Sequence, residues 1–584
     1  MGRRFDPDRA HFPLINFWHA YHVFMMNELI EKRLSMGLTL VAPLATIAVS
    51  PAWNWDPINL IKLLLITSIG FYCFFILIPS FHKVGRIFSW KIWSPVILFL
   101  VAMTSSLFFS GAPINQQFWG TFGRNTGYLT YLSFLAILVS SMLSSDSNLH
   151  VKVINALVIT SVPMTFYCLI QIAKLDPIGW SELRPFGTLG NINFLSAFLG
   201  LSTICALALV PSKKYSPLLM VGLIALIIVD LSIIYYTGSI QGLMMFIAGA
   251  GIQIFIFIAK RFRSKLFNIA YLIMSSVGIF FTILGLTNRG PLAKFLFAPS
   301  IVFRSDYWHA GWEMTLKRPL FGVGLDSYGD WYRQVRGQIS TLRTGPDRTA
   351  NTAHNIFLDI SSNGGIPLIT GYLSIVLIAF YFGIKSIRSN PTPHNIALFT
   401  SWVGFLIFST ISINQVGVGI WGWLLTGILI GKSKFNKIET TKAKKSDVIK
   451  ISKKKRNKSN FPASASMSGL AGLTLGLLIS FIPLQADAKF KTALQSGSIE
   501  KMLASVEVLG STAFHKEMVI DVALRNNFEP QALILAREIV KRYPKDFMGW
   551  RVLAAVNGST LQEKSEALLK LRELDPYNPN IPKS

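Results

Sequence analysis

The sequence predicts an all-α polytopic membrane protein. Its parts are about 12 core transmembrane helices with a large, mainly helical outer loop, a 13th span, and a small α-helical repeat-like outer domain. Three observations carry this. The 584 residues are 51% hydrophobic and only 15% charged, whereas soluble domains carry roughly a quarter charged residues. The apolar residues fall in continuous blocks of about 17–22, enough to cross a hydrocarbon core of roughly 30 Å as helices and unlike the alternation of a barrel. Lys and Arg recur in every second connection, as cytoplasmic loops require.

Residues 1–33 open the chain. Phe17, Trp18, Tyr21 and Phe24 with Lys32 and Arg33 predict an interfacial segment. The first apolar run starts near Leu34, behind too long a charged lead for a cleavable signal. Spans follow at about 34–50, 58–79, 92–110, 127–144, 153–174, 191–210, 217–236, 240–259, 266–286, 366–385, 396–413, 416–431 and 467–484. With the N-terminus inside, the inside connections hold Lys83, Arg86, Lys91, Lys152, Lys213, Lys214, Lys260, Arg261, Arg263, Lys265, Lys385 and Arg388. The short outside loops at 51–57, 237–239 and 414–415 hold no Lys or Arg. Loops 111–126, 175–190 and 287–365 therefore face outside too. Residues 34–431 form the core.

Residues 432–466 form a basic cytoplasmic linker, with twelve Lys or Arg against Glu439 and Asp447. It reads as a solvated tether beside anionic headgroups. Residues 436–460 contain no aromatic residue, so nucleic acid is not an expected partner. The net charge of +27 is on this reading topological. After the span at 467–484, residues 486–584 form an outer domain. Ala532-Leu533, Ala536, Ile539-Val540, Pro544, Trp550, Leu553-Ala554 and Ala567-Leu568 are similar to tetratricopeptide-type repeats. Such a domain would recognise a bulky acceptor or a protein partner.

Cys73, Cys168 and Cys205 all sit in apolar spans and offer neither metal spacing nor a disulfide framework. No phosphate-binding loop, nucleophile elbow or His-Glu-x-x-His occurs. Among span residues Lys62 and Asp230 are ionisable. Asp230 is either a functional intramembrane acid or a structural one bonded to a neighbouring helix.

The polar residues gather outside. Trp119-Gly120-Thr121-Phe122-Gly123-Arg124-Asn125-Thr126-Gly127 lies in one loop, and Arg184-Pro185-Phe186-Gly187-Thr188-Leu189-Gly190-Asn191-Ile192-Asn193 in another. Loop 287–365 adds Arg289, Arg304, Arg318, Arg333, Arg336, Arg343 and Arg348, with nine Lys or Arg against six Asp or Glu. Positive charge outside needs a reason. Arginine forks grip phosphate oxygens, glycines admit a ligand close to backbone, and Tyr and Trp stack on sugars. These residues fit an anionic, glycosylated substrate at the outer face. They fit equally a set of arginines paired with loop carboxylates and headgroups.

Arg304-x-x-Tyr-Trp-x-x-Gly-Trp-x-Met, then Pro319-Leu-Phe-Gly-Val-Gly324, then His354-Asn355-x-x-Leu358 and Gly364-Gly-Ile366 resemble the signature of the O-antigen ligase/O-antigen polymerase superfamily, which includes bacterial protein O-oligosaccharyltransferases. The two earlier outer loops also resemble that family, and the likeness covers roughly residues 35–431. The resemblance implies an integral enzyme of the bacterial cytoplasmic membrane. It would move a glycan from an undecaprenyl-diphosphate carrier to a glycan, lipid or protein acceptor hydroxyl, with inversion and without metal or other cofactor. Carried over, His354 is the general base or positions the acceptor hydroxyl; otherwise it is a loop histidine capping the next helix. Arg304 holds the diphosphate. Arg184, Arg124, Gln241, Tyr307, Trp308, Asn355 and Arg289 are the candidate donor- and glycan-binding residues. His309 is expected to pack among the aromatics.

One departure stands out. The family often carries a second arginine in a Ser-Arg pair where an outer loop enters a span. Here the stretch reads Thr237-Gly238-Ser239-Ile240-Gln241-Gly242, so Arg184 or Arg124 would have to serve. A transporter or flippase of lipid-linked glycans is the alternative from another class, with Asp230 as its main support. A scaffold displaying the C-terminal helices is a third.

Overall fold

The computed structural model describes residues 28–180, 184–262, 264–297, 299–443 and 463–582. Among them, thirteen long helices run between two ends of a bundle. They are α1 (Glu28–Ile47), α2 (Asn59–Phe75), α3 (Trp90–Phe109), α5 (Tyr128–Leu143), α6 (Leu149–Ile172), α7 (Ile192–Leu209), α8 (Pro217–Thr237), α9 (Ile240–Phe262), α10 (Lys265–Leu286), α14 (Ile356–Ser389), α15 (Pro393–Ile411), α16 (Val416–Ala443) and α17 (Ala463–Gln495). Short α4 (Ile114–Trp119) precedes α5, and α11 (Pro299–Lys317), α12 (Tyr328–Val335) and α13 (Gln338–Thr344) fill the large loop. Five helices close the chain: α18 (Ile499–Val506), α19 (Ala513–Arg525), α20 (Glu529–Arg542), α21 (Phe547–Ala555) and α22 (Leu561–Leu574).

Eleven helices are long and apolar enough to cross a membrane. Two fall short of that measure: α5 has 16 residues, and α1 begins with Glu28, Glu31, Lys32 and Arg33. Both still connect the same two ends, because partners elsewhere satisfy their termini. Glu31 accepts from Ser144 and from the backbone N–H groups of Ser145 (2.9 Å) and Asp146 (3.0 Å). Buried Lys62 donates to the carbonyls of Ala45, Thr46 and Ala48 at 2.9–3.0 Å, where a cation suits the negative end of α1.

Hydrogen bonds sort the connections into two ends as the charge alternation requires. At one end, Asp487 accepts from the N–H groups of Trp55 and Asp56, Arg184 reaches Thr237 and Gln415 reaches Asn59; this is the loop end. At the other, Ser35 and Lys152 meet Asp146 and Arg33 meets Ser466; this is the basic end.

Close helix contact uses small residues, as in lipid, where apolar area alone drives no association. A Cβ at Gly472 of α17 would lie 2.7 Å from the Phe71 carbonyl, and one at Gly476 would lie 2.8 Å from that of Thr67. Helix α17 is thus seated on α2 rather than appended. By contrast, α10 buries only Gly285 and turns its apolar residues outward. Asp230 is fully buried and accepts from Thr165 on α6 through Oδ1, while its Oδ2 has no partner among the described residues.

Three boundaries differ from expectation. Helix α16 runs on to Ala443 and α17 starts at Ala463, so helix replaces both ends of the expected linker; residues 444–462 lie outside the described residues. The expected interfacial segment lies outside them as well, save residues 28–33, which begin α1. No break separates the last span from the outer domain. Helix α17 continues for 33 residues and delivers Phe490 and Ala493 into the core of α18–α22, beside Val519, Ile539 and Leu571.

The terminal helices also grip the loop end. Asp575, fully buried, meets Arg336 at 2.6 Å and Arg333 at 3.0 Å. Phe514 stacks on Phe122 at 4.3 Å, and the Lys545 ammonium sits 3.7 Å over the Trp331 ring. This domain is a clasp on the loops rather than a module displayed apart from them.

Candidate functional site

The large loop folds on its own small core. Ala310 and Met314 of α11 pack with Val323, Tyr328, Tyr332, Ala350 and Ala353, so the helical spacing that buries these residues sets the neighbouring face, Arg304 and Tyr307, beside the segment before α14. The Pro319–Gly324 turn then pairs with α14 as a strand would. Val323 N–H donates to Ser362 (2.8 Å), Gly324 N–H to Asn363 (3.1 Å) and Ile366 N–H to the Pro319 carbonyl (2.7 Å). Those bonds interrupt α14 at Gly365, whose φ is +78°. A Cβ there would stand 2.6 Å from the Pro319 oxygen. The two separated glycine motifs of the sequence are one contact in space.

His354 sits two residues ahead of α14 at φ +51°, a left-handed conformation uncommon for a residue with a Cβ and frequent where function demands it. Asp359 holds it there. Its carboxylate accepts from Thr352 Oγ1 at 2.6 Å and from Ala353 N–H at 2.7 Å, and Thr352 Oγ1 accepts from His354 N–H at 3.1 Å. Asn355 caps α14, its Oδ1 accepting from the N–H groups of Phe357 and Leu358. The capping role weighed for His354 therefore belongs to its neighbour. The imidazole makes no hydrogen bond to a described residue and stacks on Tyr307, with ring centroids 5.4 Å apart. Burial lowers its pKa to about 4, helped by the charges of Arg304 and then Arg124.

Arg304 itself is half-buried and makes no hydrogen bond or ion pair among the described residues; burial lowers its pKa as well. An uncompensated guanidinium in partly desolvated surroundings is ready for an anion. Trp308, one turn on, has a buried Nε1 without a partner. His309 is exposed rather than packed, because Ala310 and Met314, not it, occupy the inward face.

Arg124 comes to the same place from loop 111–126. It pairs with buried Asp326 at 3.2 Å and donates to the Asn351 carbonyl, while its Nε lacks a partner. Asp326 also accepts from Thr121 and Thr126, through both N–H and hydroxyl, at 2.8–3.2 Å. Arg124 further lines a cavity of about 230 Å³ with Asn59, Thr126, Asn191 and Gln415. That cavity joins the two glycine-rich loops of the sequence.

Arg184 lies over the turn that leads to Gln241. The Arg184 Nη1 donates to the Thr237 carbonyl at 2.9 Å, over Gly238, where a Cβ would collide with it. Gln241 is buried with an unpartnered Oε1. No bond links this pair to His354 among the described residues. Arg289 is exposed beyond the end of α10 and is not brought to the site. Asp326 and Asp359 were not singled out in the sequence. Their signals were position alone, one directly after Gly324-Leu325 and the other five residues after His354.

Residues 223–373 match the family model described as O-antigen ligase. The match contains Arg304, the Pro319–Gly324 turn and His354, and stops short of the C-terminal clasp. No curated protein matches the chain. Eleven apolar helices among the described residues, the glycine-paired loop and the matched segment agree with one another: over residues 223–373 the chain is similar to the O-antigen ligase family.

Proposed function

We propose that the protein transfers a glycan from a polyprenyl-diphosphate carrier to an acceptor hydroxyl at the loop end, the outer face of the cytoplasmic membrane. One observation carries this reading: an unpaired Arg304 beside a neutral, hydrogen-bond-free His354, in the matched segment. His354 accepts the proton of the acceptor hydroxyl as that oxygen attacks the anomeric carbon. The bond from that carbon to the diphosphate breaks on the opposite face, which inverts the centre. Arg304 neutralises the charge that builds on the departing diphosphate. Tyr307 orients the imidazole, and the Trp308 Nε1 is a free donor for a sugar hydroxyl. Asn355 keeps Nδ2 as its remaining donor.

A base with a pKa near 4 is weak at neutral pH. The same geometry supplies the remedy. A diphosphate on Arg304 cancels the positive charge that helps to depress His354, so the imidazole becomes more basic once the donor is bound. Arg184 stands at the turn where the family's second arginine is missing, and Gln241 adds an uncharged contact there. The pair fits the distal part of the carrier or its glycan.

Transfer in proteoliposomes from a defined lipid-diphosphate oligosaccharide tests the proposal. Added lipid, glycan and protein acceptors distinguish ligation, polymerisation and protein glycosylation. Loss of transfer in folded His354→Ala and Arg304→Ala is expected. Undiminished transfer by His354→Ala would overturn the base assignment. Movement of the intact donor across the bilayer without glycosidic bond formation would favour the transport reading.

A further inference from the structure

A second polar cavity, of about 330 Å³, lies at the basic end. It forms where α6 and α15 begin, where α14 ends, and where α16 and the turn before α8 pass. His150, Lys214, His394 and Lys432 line it, and no carboxylate does. The N-termini of two long helices open on it. Asn148 precedes α6, which has no side-chain cap, and Thr392 caps α15. Uncapped α6 presents free first-turn N–H groups, whereas α15 begins with Pro393 and gives its Asn395 N–H to Thr392; both present the positive ends of their dipoles.

Asn395 adds an independent mark. It lines the cavity at 3% exposure. Its Nδ2 donates to the Asn390 carbonyl at 2.7 Å, which fixes the amide orientation and leaves Oδ1 buried without a partner. An acceptor in that position calls for a donor, which a hydroxyl can supply. A ligand that combines a phosphate with a hydroxyl satisfies both features.

We propose that this cavity binds the headgroup of an anionic, hydroxyl-bearing phospholipid of the phosphatidylglycerol type. The phosphate lies at the uncapped N-terminus of α6 near Lys214, and a glycerol hydroxyl donates to Asn395. The cavity sits at the ends of the spanning helices, where headgroups lie, and basic pockets between such helices attract anionic lipid. The Lys-rich run after Lys432 raises the local concentration of the same lipid. The site is independent of the glycan-transfer reading: α15 separates it from Asn414 and Gln415 at the loop end by roughly 28 Å of helix.

The test uses the full chain in phosphatidylcholine nanodiscs with and without a minority of phosphatidylglycerol, with bound lipid counted by native mass spectrometry. The wild type should retain phosphatidylglycerol in preference to phosphatidylcholine. Lys214→Ala, an exposed position, should lower retention about fivefold and leave thermal stability in pure phosphatidylcholine unchanged. Lys214→Gln should do the same if Lys214→Ala expresses poorly. Equal retention of the two lipids by the wild type would overturn the proposal, as would wild-type retention by both variants. Protection of the wild type by inorganic phosphate in pure phosphatidylcholine, equal to that by phosphatidylglycerol, would assign the cavity to a soluble anion and overturn the lipid.

Discussion

The two halves of the large loop carry similar arginines and treat them differently. In the second half Arg336 is fully buried, bonded to Asp575 and to the carbonyls of Pro346 and Arg348, and Arg333 shares the same carboxylate. In the first half Arg304 has no carboxylate among the described residues and lies beside a neutral His354. Arginine number does not mark a binding site. The presence or absence of an internal counter-charge does, because a guanidinium already matched to a buried carboxylate has no field left for a ligand. Asp326 does the same for most of Arg124, leaving only its Nε.

The largest expected effect lies in the first half. His354→Ala should lower the transfer rate by about 10²–10⁴, the range for a positioned general base, with unchanged unfolding temperature. Arg304→Ala should cost about 10²–10³ in rate, as for one charge-stabilising donor, and Arg304→Lys should recover part of it. Initial rates in proteoliposomes measure both.

The second half should answer in stability instead. Arg336→Met removes one of the two guanidiniums that hold Asp575 and should cost about 1.5–3 kcal/mol, read as early loss of the loop and terminal helices in thermal unfolding. The double variant Arg336→Met/Asp575→Leu should be less damaged than the single one. If Arg336→Met lowered the rate per folded molecule as much as Arg304→Ala does, the contrast between the halves would be broken.

Their pH responses should also diverge. His354, held at about 4 by burial, stays neutral in the fold while the unfolded imidazole takes up a proton below about 6.5. Stability from this group is thus lost as pH falls from 6.5 toward 4. At the clasp, burial raises Asp330 to about 7 and raises Glu517 beside Asp546. These carboxyls hold protons that the unfolded chain releases above about 4, so stability is lost as pH rises through 7. Asp330→Asn should remove its own share of that loss, leaving the share of Glu517 and the acid loss from His354. The acid limb of kcat should also lie above that of kcat/KM, since the bound diphosphate makes His354 more basic. The smallest effect should come from Arg184→Ala, which should raise the donor KM about tenfold or less with little change in kcat.

The sequence reading succeeded where one local property decides the outcome. Continuous apolar blocks fixed the spans, and charge alternation placed loops 51–57, 111–126, 175–190 and 287–365 at one end before any contact was visible. It named His354, Arg304 and Tyr307 as candidates from the motif around them, and the structure brings the three together. It listed Arg333 and Arg336 among the loop arginines without seeing their partner, and it did not show that the C-terminal helices clasp the loops. Those points turn on partners far along the chain: Arg336 and Asp575 are 239 residues apart, and no local pattern joins them.

By itself, then, the sequence determined an all-helical membrane chain, the sorting of its connections into two ends and the family resemblance of its loop. Each follows from hydropathy, charge or spacing within a few turns of chain. Tertiary structure alone decided which arginines are neutralised, that Asp359 rather than His354's own backbone preference holds the imidazole in place, and that α17 bears on α2 through Gly472 and Gly476. The physical reason is that a buried charge is defined by what surrounds it, and its surroundings are assembled from segments that meet only in the fold.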